Sequence, residues 1–223
     1  MFLKRQLIIL YRTVNNSISG MMDRVQFGAD VEFTTSELGI YEKAGYEEHL
    51  VGYEQTNLLF NYELENYLKK KSHFDDSILD IGCGKGRMLY FFYKCGFGNS
   101  DGLEYSRDLA HVALNNYEIV KKRKSIKESL FNIFVGDAAE FDSYVNYNYF
   151  YMYNPFDGEV MQKVISRIIE SQKESNRKIY IVYKNPLYED VIEKTGCFTL
   201  VKKCRDSIVG RKTRQVIHIY ESK

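Results

Sequence analysis

The segment Ile78-Leu79-Asp80-Ile81-Gly82-Cys83-Gly84-Lys85-Gly86-Arg87 decides how this 223-residue chain folds. Its apolar first half predicts a buried strand over Ser77 to Ile81, and the apolar residues from Arg87 to about Cys95 recur at helical spacing. The alternating glycines between them let the backbone turn sharply and let a ligand come within contact distance, because no Cβ intervenes. The segment therefore predicts a strand, a glycine-rich turn and a helix around a nucleotide-like ligand.

Strand and helix patterns continue to alternate after this segment. Further strands are predicted over 100–104, 130–135, 147–153, 178–183, 198–204 and 214–220. The alternation indicates an α/β fold with a mainly parallel sheet and helices on both faces. The last two strands have no helix between them and are expected to pair as an antiparallel hairpin around Gly210. The only two prolines, Pro155 and Pro186, each follow a strand closely, where a residue without an amide donor stops the ladder.

Polar residues stand at the ends of the next three predicted strands. Glu104 lies 20 residues past Gly84, the distance at which a carboxylate can accept both hydroxyls of a ribose. Gly136-Asp137-Ala138 follows the third strand and Asn154-Pro155-Phe156 follows the fourth. Ligands of open α/β sheets bind at these carboxyl ends, so the residues are expected to face one site.

These four segments resemble class I S-adenosylmethionine-dependent methyltransferases. The resemblance implies a Rossmann-like seven-stranded sheet over 77–223 with S-adenosylmethionine as cofactor. It also implies how the site residues divide between the parts of that cofactor. Asp80, Gly82, Gly84 and Gly86 would hold its methionine portion, Glu104 its ribose, and Asp137 with Ala138 its adenine.

The glycine spacing and the Asn154 segment bear on the reaction. The pattern G-x-G-x-G differs from the G-x-G-x-x-G of dinucleotide-binding proteins, which disfavours a nicotinamide dehydrogenase. At Asn154 the chain resembles amino-group methyltransferases. The resemblance implies that the Asn154 side chain holds the acceptor and contacts the cofactor, and that Pro155 and Phe156 bind substrate. The familiar form of that motif has two prolines, whereas this chain has one, and the departure disfavours nucleic-acid adenine as the acceptor.

Several functional alternatives remain open on these residues. The Asn-Pro-Phe string and the glycine loop also show a short similarity to Dot1-type lysine methyltransferases. N-methylation is slightly favoured, O-methylation of a small molecule or glycan is the alternative, and a non-catalytic S-adenosylmethionine-binding protein belongs to another class. No general base can be assigned from the sequence.

Residues 1–76 read as a helical extension that precedes the cofactor domain. Gly52-Tyr53-Glu54-Gln55-Thr56 comes before a helix that has Leu64 and Leu68 on its apolar face, with Thr56 as its expected N-cap. In related methyltransferases such a segment folds over the cofactor, so Tyr53 and Thr56 are candidate cofactor contacts. A plain helix cap beside a packed tyrosine explains the same residues equally well.

Charge and composition narrow the class of partner. The net charge of +1 provides no overall field for nucleic acid or membrane. Residues 22–65 carry ten acidic and two basic residues, whereas residues 197–223 carry seven basic and two acidic. An acidic entry region mildly favours a cationic or neutral acceptor, so a small molecule, glycan or protein side chain is preferred over nucleic acid.

The cysteines and the N-terminal segment indicate a cytoplasmic protein. The histidines and cysteines show no zinc spacing, so no metal is expected and the thiols are interpreted as buried and reduced. No apolar stretch reaches the roughly 20 residues that span a bilayer. A helix over 1–14 could pack on the domain or lie along a membrane surface, and packing is favoured. The thiols are Cys83, Cys95, Cys197 and Cys204.

Overall fold

A computed structural model describes residues 20–27, 30–33, 61–124, 131–208 and 211–223. For residues 206–208 and 211–215 it describes the backbone alone. The predictions for Tyr53, Thr56, the 1–14 helix and the Gly210 turn lie outside these residues. The acidic region 22–65 is covered only in part.

Six α-helices and seven strands make up the described part of the chain. The helices are α1 (20–27), α2 (Tyr62–Lys71), α3 (Arg87–Cys95), α4 (Arg107–Lys124), α5 (Gly158–Ser175) and α6 (Glu189–Lys194). The strands are β1 (Ser77–Ile81), β2 (Asn99–Glu104), β3 (Ile133–Val135), β4 (Tyr149–Tyr153), β5 (Tyr180–Lys184), β6 (Phe198–Ile208) and β7 (Arg211–Ser222). A 3₁₀ turn over Ser143–Asn146 precedes β4.

The strands form one sheet in the order β3-β2-β1-β4-β5-β7-β6. Neighbours from β3 to β5 pair in parallel, whereas β7 is antiparallel to both β5 and β6. The predicted mostly parallel seven-stranded sheet with a C-terminal hairpin is therefore confirmed. Because β1 pairs in parallel with β2 on one side and with β4 on the other, the carboxyl ends of these three strands lie at the same edge of the sheet.

Helices cover both faces of the sheet, as predicted. On one face α5 packs Val164 and Ile168 against strand residues such as Leu79. On the other face α2 and α3 bury Leu64 and Phe92 against the sheet. These apolar layers fix the central strands, and the loops at their carboxyl ends are held by rigid supports.

The N-terminal residues join the same core as the sheet. Leu64 and Leu68 of α2 are almost fully buried, as their spacing predicted, but α2 begins at Tyr62 after Asn61, later than a cap at Thr56 requires. Phe27 and Phe33 pack beside α3 and α4. The ring of Phe27 contacts the rings of Phe33 and Tyr90. The division at residue 76 stays a prediction, since α2 shares a hydrophobic cluster with β1.

Candidate functional site

The glycine loop between β1 and α3 has the backbone that its sequence predicts. Gly82, Gly84 and Gly86 have φ of +77°, +54° and +77°, a region that costs other residues energy. A Cβ added at Gly82 would lie 2.7 Å from Cβ of Pro155. The absent side chain at Gly82 therefore lets the loop after β4 close against the loop after β1.

Glu104 ties this loop to the end of β2. Its carboxylate accepts a hydrogen bond from the Gly84 amide at 2.8 Å and from the Ser106 amide at 2.9 Å. Burial raises the pKa of Glu104, while these amide donors act to lower it. The carboxylate is thus held at the carboxyl edge of β2, directly beside the glycine loop.

Asp80 places a second acidic group under the loop. Its side chain is 3% exposed, and burial together with the charge of Glu104 holds the pKa of Asp80 well above its ordinary value. Two neighbouring carboxyl groups make the pocket favourable for a cation, because a positive charge would offset the cost of ionising both. The contact of Asp80 with the methionine portion of the cofactor stays a prediction.

Asp137 and Ala138 form a turn after β3. The Asp137 side chain is exposed, and its Oδ1 accepts a hydrogen bond from the Ala139 amide at 2.8 Å. The Ala138 carbonyl accepts one from the Tyr144 hydroxyl at 2.8 Å. Asp137 therefore caps a turn at the same edge of the sheet, and its contact with adenine stays a prediction.

Tyr105 is a further candidate site residue that the sequence analysis did not include. It follows Glu104 directly, and 39% of its surface is exposed although most aromatic side chains of the described chain are buried. An exposed ring beside the predicted ribose contact offers a flat apolar surface for a base. Its position immediately after the strand-end acid was the signal that could have found it.

The loop after β4 holds Asn154 in a constrained backbone. Asn154 has φ +45° and is 6% exposed, and its Oδ1 accepts a hydrogen bond from the Tyr183 hydroxyl at 3.3 Å. Left-handed backbone in a residue other than glycine costs energy and is concentrated at functional sites. Asn154, the residue predicted to hold the methyl acceptor, is thus fixed at both its backbone and its side chain.

Pro155 and Phe156, the other two residues of this motif, pack against neighbouring parts of the protein. Pro155 lies against the Gly82 backbone. Phe156 is 4% exposed and belongs to the hydrophobic cluster under α5. Its aromatic ring packs in the core, and substrate binding by Phe156 and by Pro155 stays a prediction. Sequence spacing could not show that Phe156 points inward.

The thiols show no disulfide, as expected. Cys83, Cys95 and Cys204 are buried, and Cys197 is partly exposed. A Cβ at Gly102 would lie 2.5 Å from the Cys83 sulfur, so this thiol packs on β2 beneath the glycine loop. Burial, Glu104 and Asp80 hold its pKa well above the usual range, which agrees with packing rather than nucleophilic attack.

A buried ion pair connects α1 to the glycine-loop helix. Nη2 of Arg87 lies 2.6 Å from both carboxylate oxygens of Asp23, and both side chains are about 5% exposed. Asn116 of α4 adds a second link, since it donates to the Lys85 carbonyl and accepts from the Glu32 amide. The sequence analysis missed these residues because they lie far apart along the chain.

Two negative findings apply to the described ranges only. No group of three or more His, Cys, Asp or Glu side chains within them could hold a metal ion. None of the helices in that part of the chain is long and apolar enough to cross a bilayer.

Solved structures resemble this chain in fold. A provisionally named RNA methyltransferase from Pyrococcus horikoshii aligns over 92% of this chain and 97% of its own, with a TM-score of 0.58 and 16% identity. The ribosomal protein L11 methylase of Lactobacillus delbrueckii subsp. bulgaricus aligns over 73% and 78%, with 0.52 and 13%. A provisionally named methyltransferase solved with S-adenosylhomocysteine aligns over 77% and 51%, with 0.56 and 12%.

These likenesses establish the fold of the chain. The sequence matches no protein-family model and no curated protein. The seven-stranded sheet, with β7 antiparallel in an otherwise parallel centre, is the Rossmann-like α/β fold found in methyltransferases. The short similarity to Dot1-type enzymes rests on sequence alone and stays a prediction.

Proposed function

We propose that this protein is an S-adenosylmethionine-dependent methyltransferase. The observation that carries the proposal is the carboxylate of Glu104, held 2.8 Å from the Gly84 amide at the carboxyl edge of the central strands. There a ribose can bind the acid while the amino-acid end lies along the glycine loop. The fold and the S-adenosylhomocysteine held by one structural neighbour support the same cofactor.

The chain's own residues supply binding and orientation. When bound, the cofactor supplies an electrophilic methyl group on a sulfonium. Asp80 is suited to the ammonium group of its amino-acid end and the loop glycines to the rest of that end, Glu104 to its ribose, and Tyr105 with Asp137 to its adenine. Asn154, in the adjoining loop, is suited to orient the acceptor, and positioning of this kind accounts for much of the rate enhancement in group transfer.

The acceptor is proposed only by class. A carboxamide at Asn154 can align an amine, which gives a slight preference for N-methylation, with O-methylation of a small molecule or glycan as the alternative. The structural neighbours include a protein methylase and a provisionally named RNA methyltransferase, so they do not separate these classes. The acidic residues upstream of the domain favour a cationic or neutral acceptor over a polyanion.

Calorimetry with S-adenosylhomocysteine tests the cofactor assignment. Glu104→Gln keeps the shape of the side chain but replaces one acceptor oxygen with a donor, so we expect affinity to fall about tenfold or more. Glu140→Gln is the matched control, because Glu140 is exposed, and it should bind as the wild type does. Equal affinity in both variants would remove the ribose assignment.

Transfer of label tests catalysis separately from binding. The wild-type protein is incubated with methyl-labelled S-adenosylmethionine and fractionated cell lysate. Label should appear in one fraction and disappear with Asn154→Ala. A protein that binds S-adenosylhomocysteine tightly yet labels no fraction would instead support the non-catalytic alternative.

A further inference from the structure

Tyr183 connects the two Asn-Pro turns of the protein. It lies on β5, is fully buried, and donates its hydroxyl proton to Oδ1 of Asn154 at 3.3 Å. The same hydroxyl accepts a hydrogen bond from the Tyr188 amide at 3.3 Å, just after Asn185-Pro186. One phenol therefore links the loop after β4 with the loop after β5.

The donors and acceptors around this phenol fix the direction of its proton. The Tyr188 amide can only donate, so the hydroxyl oxygen accepts on that side and its proton points away from this amide. Burial raises the pKa of Tyr183 to about 12, so the hydroxyl keeps its proton at neutral pH. That proton has one described acceptor, the Asn154 side chain, which must present oxygen rather than nitrogen.

A fixed carboxamide matters because Asn side chains can rotate by half a turn. Rotation would exchange the oxygen and the nitrogen of Asn154 and would reverse what the residue offers to a ligand. The second lone pair of Oδ1 can still accept a hydrogen bond from an amine. The 3.3 Å distances are long for a hydroxyl, and hydrogen bonds at catalytic sites commonly tighten when substrate binds.

We infer that Tyr183 is a positioning residue that holds the Asn154 carboxamide in one orientation toward the methyl acceptor. This rests on the proposed function. Tyr183 contacts neither cofactor nor acceptor in this arrangement and acts only through Asn154. The turn at Asn185-Pro186, which places the Tyr188 amide against the phenol, then becomes part of the acceptor side of the site.

Tyr183→Phe is the test, because it keeps the buried ring and removes only the hydroxyl. In protein labelled with ¹⁵N-asparagine, the Asn154 carboxamide signals should shift or broaden. With the lysate fraction that accepts label from the wild type, the rate at saturating acceptor should fall about five- to tenfold, with affinity for S-adenosylhomocysteine within about twofold of the wild type. Asn154→Ala combined with Tyr183→Phe should be no slower than Asn154→Ala alone.

The matched control is Tyr147→Phe. Tyr147 is buried like Tyr183, but it precedes β4 whereas Asn154 follows that strand, and its hydroxyl donates to Asp101 on β2, so the Asn154 signals should not move. Unmoved Asn154 signals in Tyr183→Phe, an unchanged rate, or a parallel loss of S-adenosylhomocysteine affinity would each overturn the positioning role. If the wild type does not bind S-adenosylhomocysteine, the proposed function fails, and the Asn154 signals still decide whether Tyr183 holds the carboxamide.

Discussion

The contact between Gly82 and Pro155 predicts a large effect for the smallest possible substitution. Gly82→Ala adds a Cβ that would lie 2.7 Å from Cβ of Pro155, in a backbone with φ +77°. The left-handed backbone costs about 1–2 kcal/mol for alanine, and overpacking a closed contact costs about 1–3 kcal/mol. We therefore expect the free energy of unfolding to fall by about 2–5 kcal/mol.

Gly196→Ala separates the two contributions. Gly196 has φ +67°, but an added Cβ there would meet nothing within 4 Å, so only the backbone cost of about 1–2 kcal/mol applies. In a chain of this length each kcal/mol lowers Tm by about 2–4 °C. Thermal unfolding followed by circular dichroism should show a clearly larger loss for Gly82→Ala than for Gly196→Ala.

A double-mutant cycle identifies the source of the difference. Pro155→Gly removes the atom that the new methyl group would strike, so it should recover about 1–3 kcal/mol in the Gly82→Ala background. Equal Tm losses for the two alanine variants, or no coupling in the cycle, would refute the close contact. Gly82→Ala should also weaken S-adenosylhomocysteine binding, whereas Gly196→Ala should leave it unchanged.

Two further predictions concern buried charge. Because the pKa of Asp80 is raised in the folded state, its contribution to stability is present at low pH and is lost as pH rises from 3.8 through that raised pKa. Asp80→Asn should thus raise Tm at neutral pH yet weaken S-adenosylmethionine binding. Calorimetry of wild-type binding in two buffers should detect a proton released on binding. A lower Tm, tighter binding or proton uptake would contradict the assignment of Asp80. Asp23→Asn should cost about 3–5 kcal/mol in chemical unfolding, because it leaves Arg87 buried without its carboxylate. Asp190→Asn, in the exposed pair with Lys194, should leave the free energy of unfolding almost unchanged, and a similar loss in both variants would contradict the expected effect of burial.

Local sequence was sufficient to predict the centre of the fold. The apolar run before Gly82 and the helical spacing after Arg87 fixed β1 and α3 with the observed bounds, because both depend on neighbouring residues. Strand ends further along were less accurate. The strand expected from 147 begins at Tyr149, since Tyr147 follows a 3₁₀ turn and its hydroxyl bonds Asp101 on β2.

The candidate site was predictable in position but not in its supports. Strand-end residues such as Glu104 could be located because parallel strands bring their carboxyl ends together. The partners of Asn154 and Arg87 could not, since Tyr183 and Asp23 lie 29 and 64 residues away. The burial of Phe156 was not predictable for a related reason: the path of the loop decides whether an aromatic residue after a strand packs in the core, and sequence spacing does not specify that path.

The packing of residues 20–27 and 30–33 indicates how much of the chain is needed to keep the protein from self-associating. Phe27 and Phe33 cover aromatic side chains of α3, α4 and the segment before β3. A chain cut at residue 76 would keep every strand of the sheet but present that aromatic surface to water, and exposed apolar patches promote self-association. We therefore expect a chain cut at residue 76 to self-associate more than the full chain.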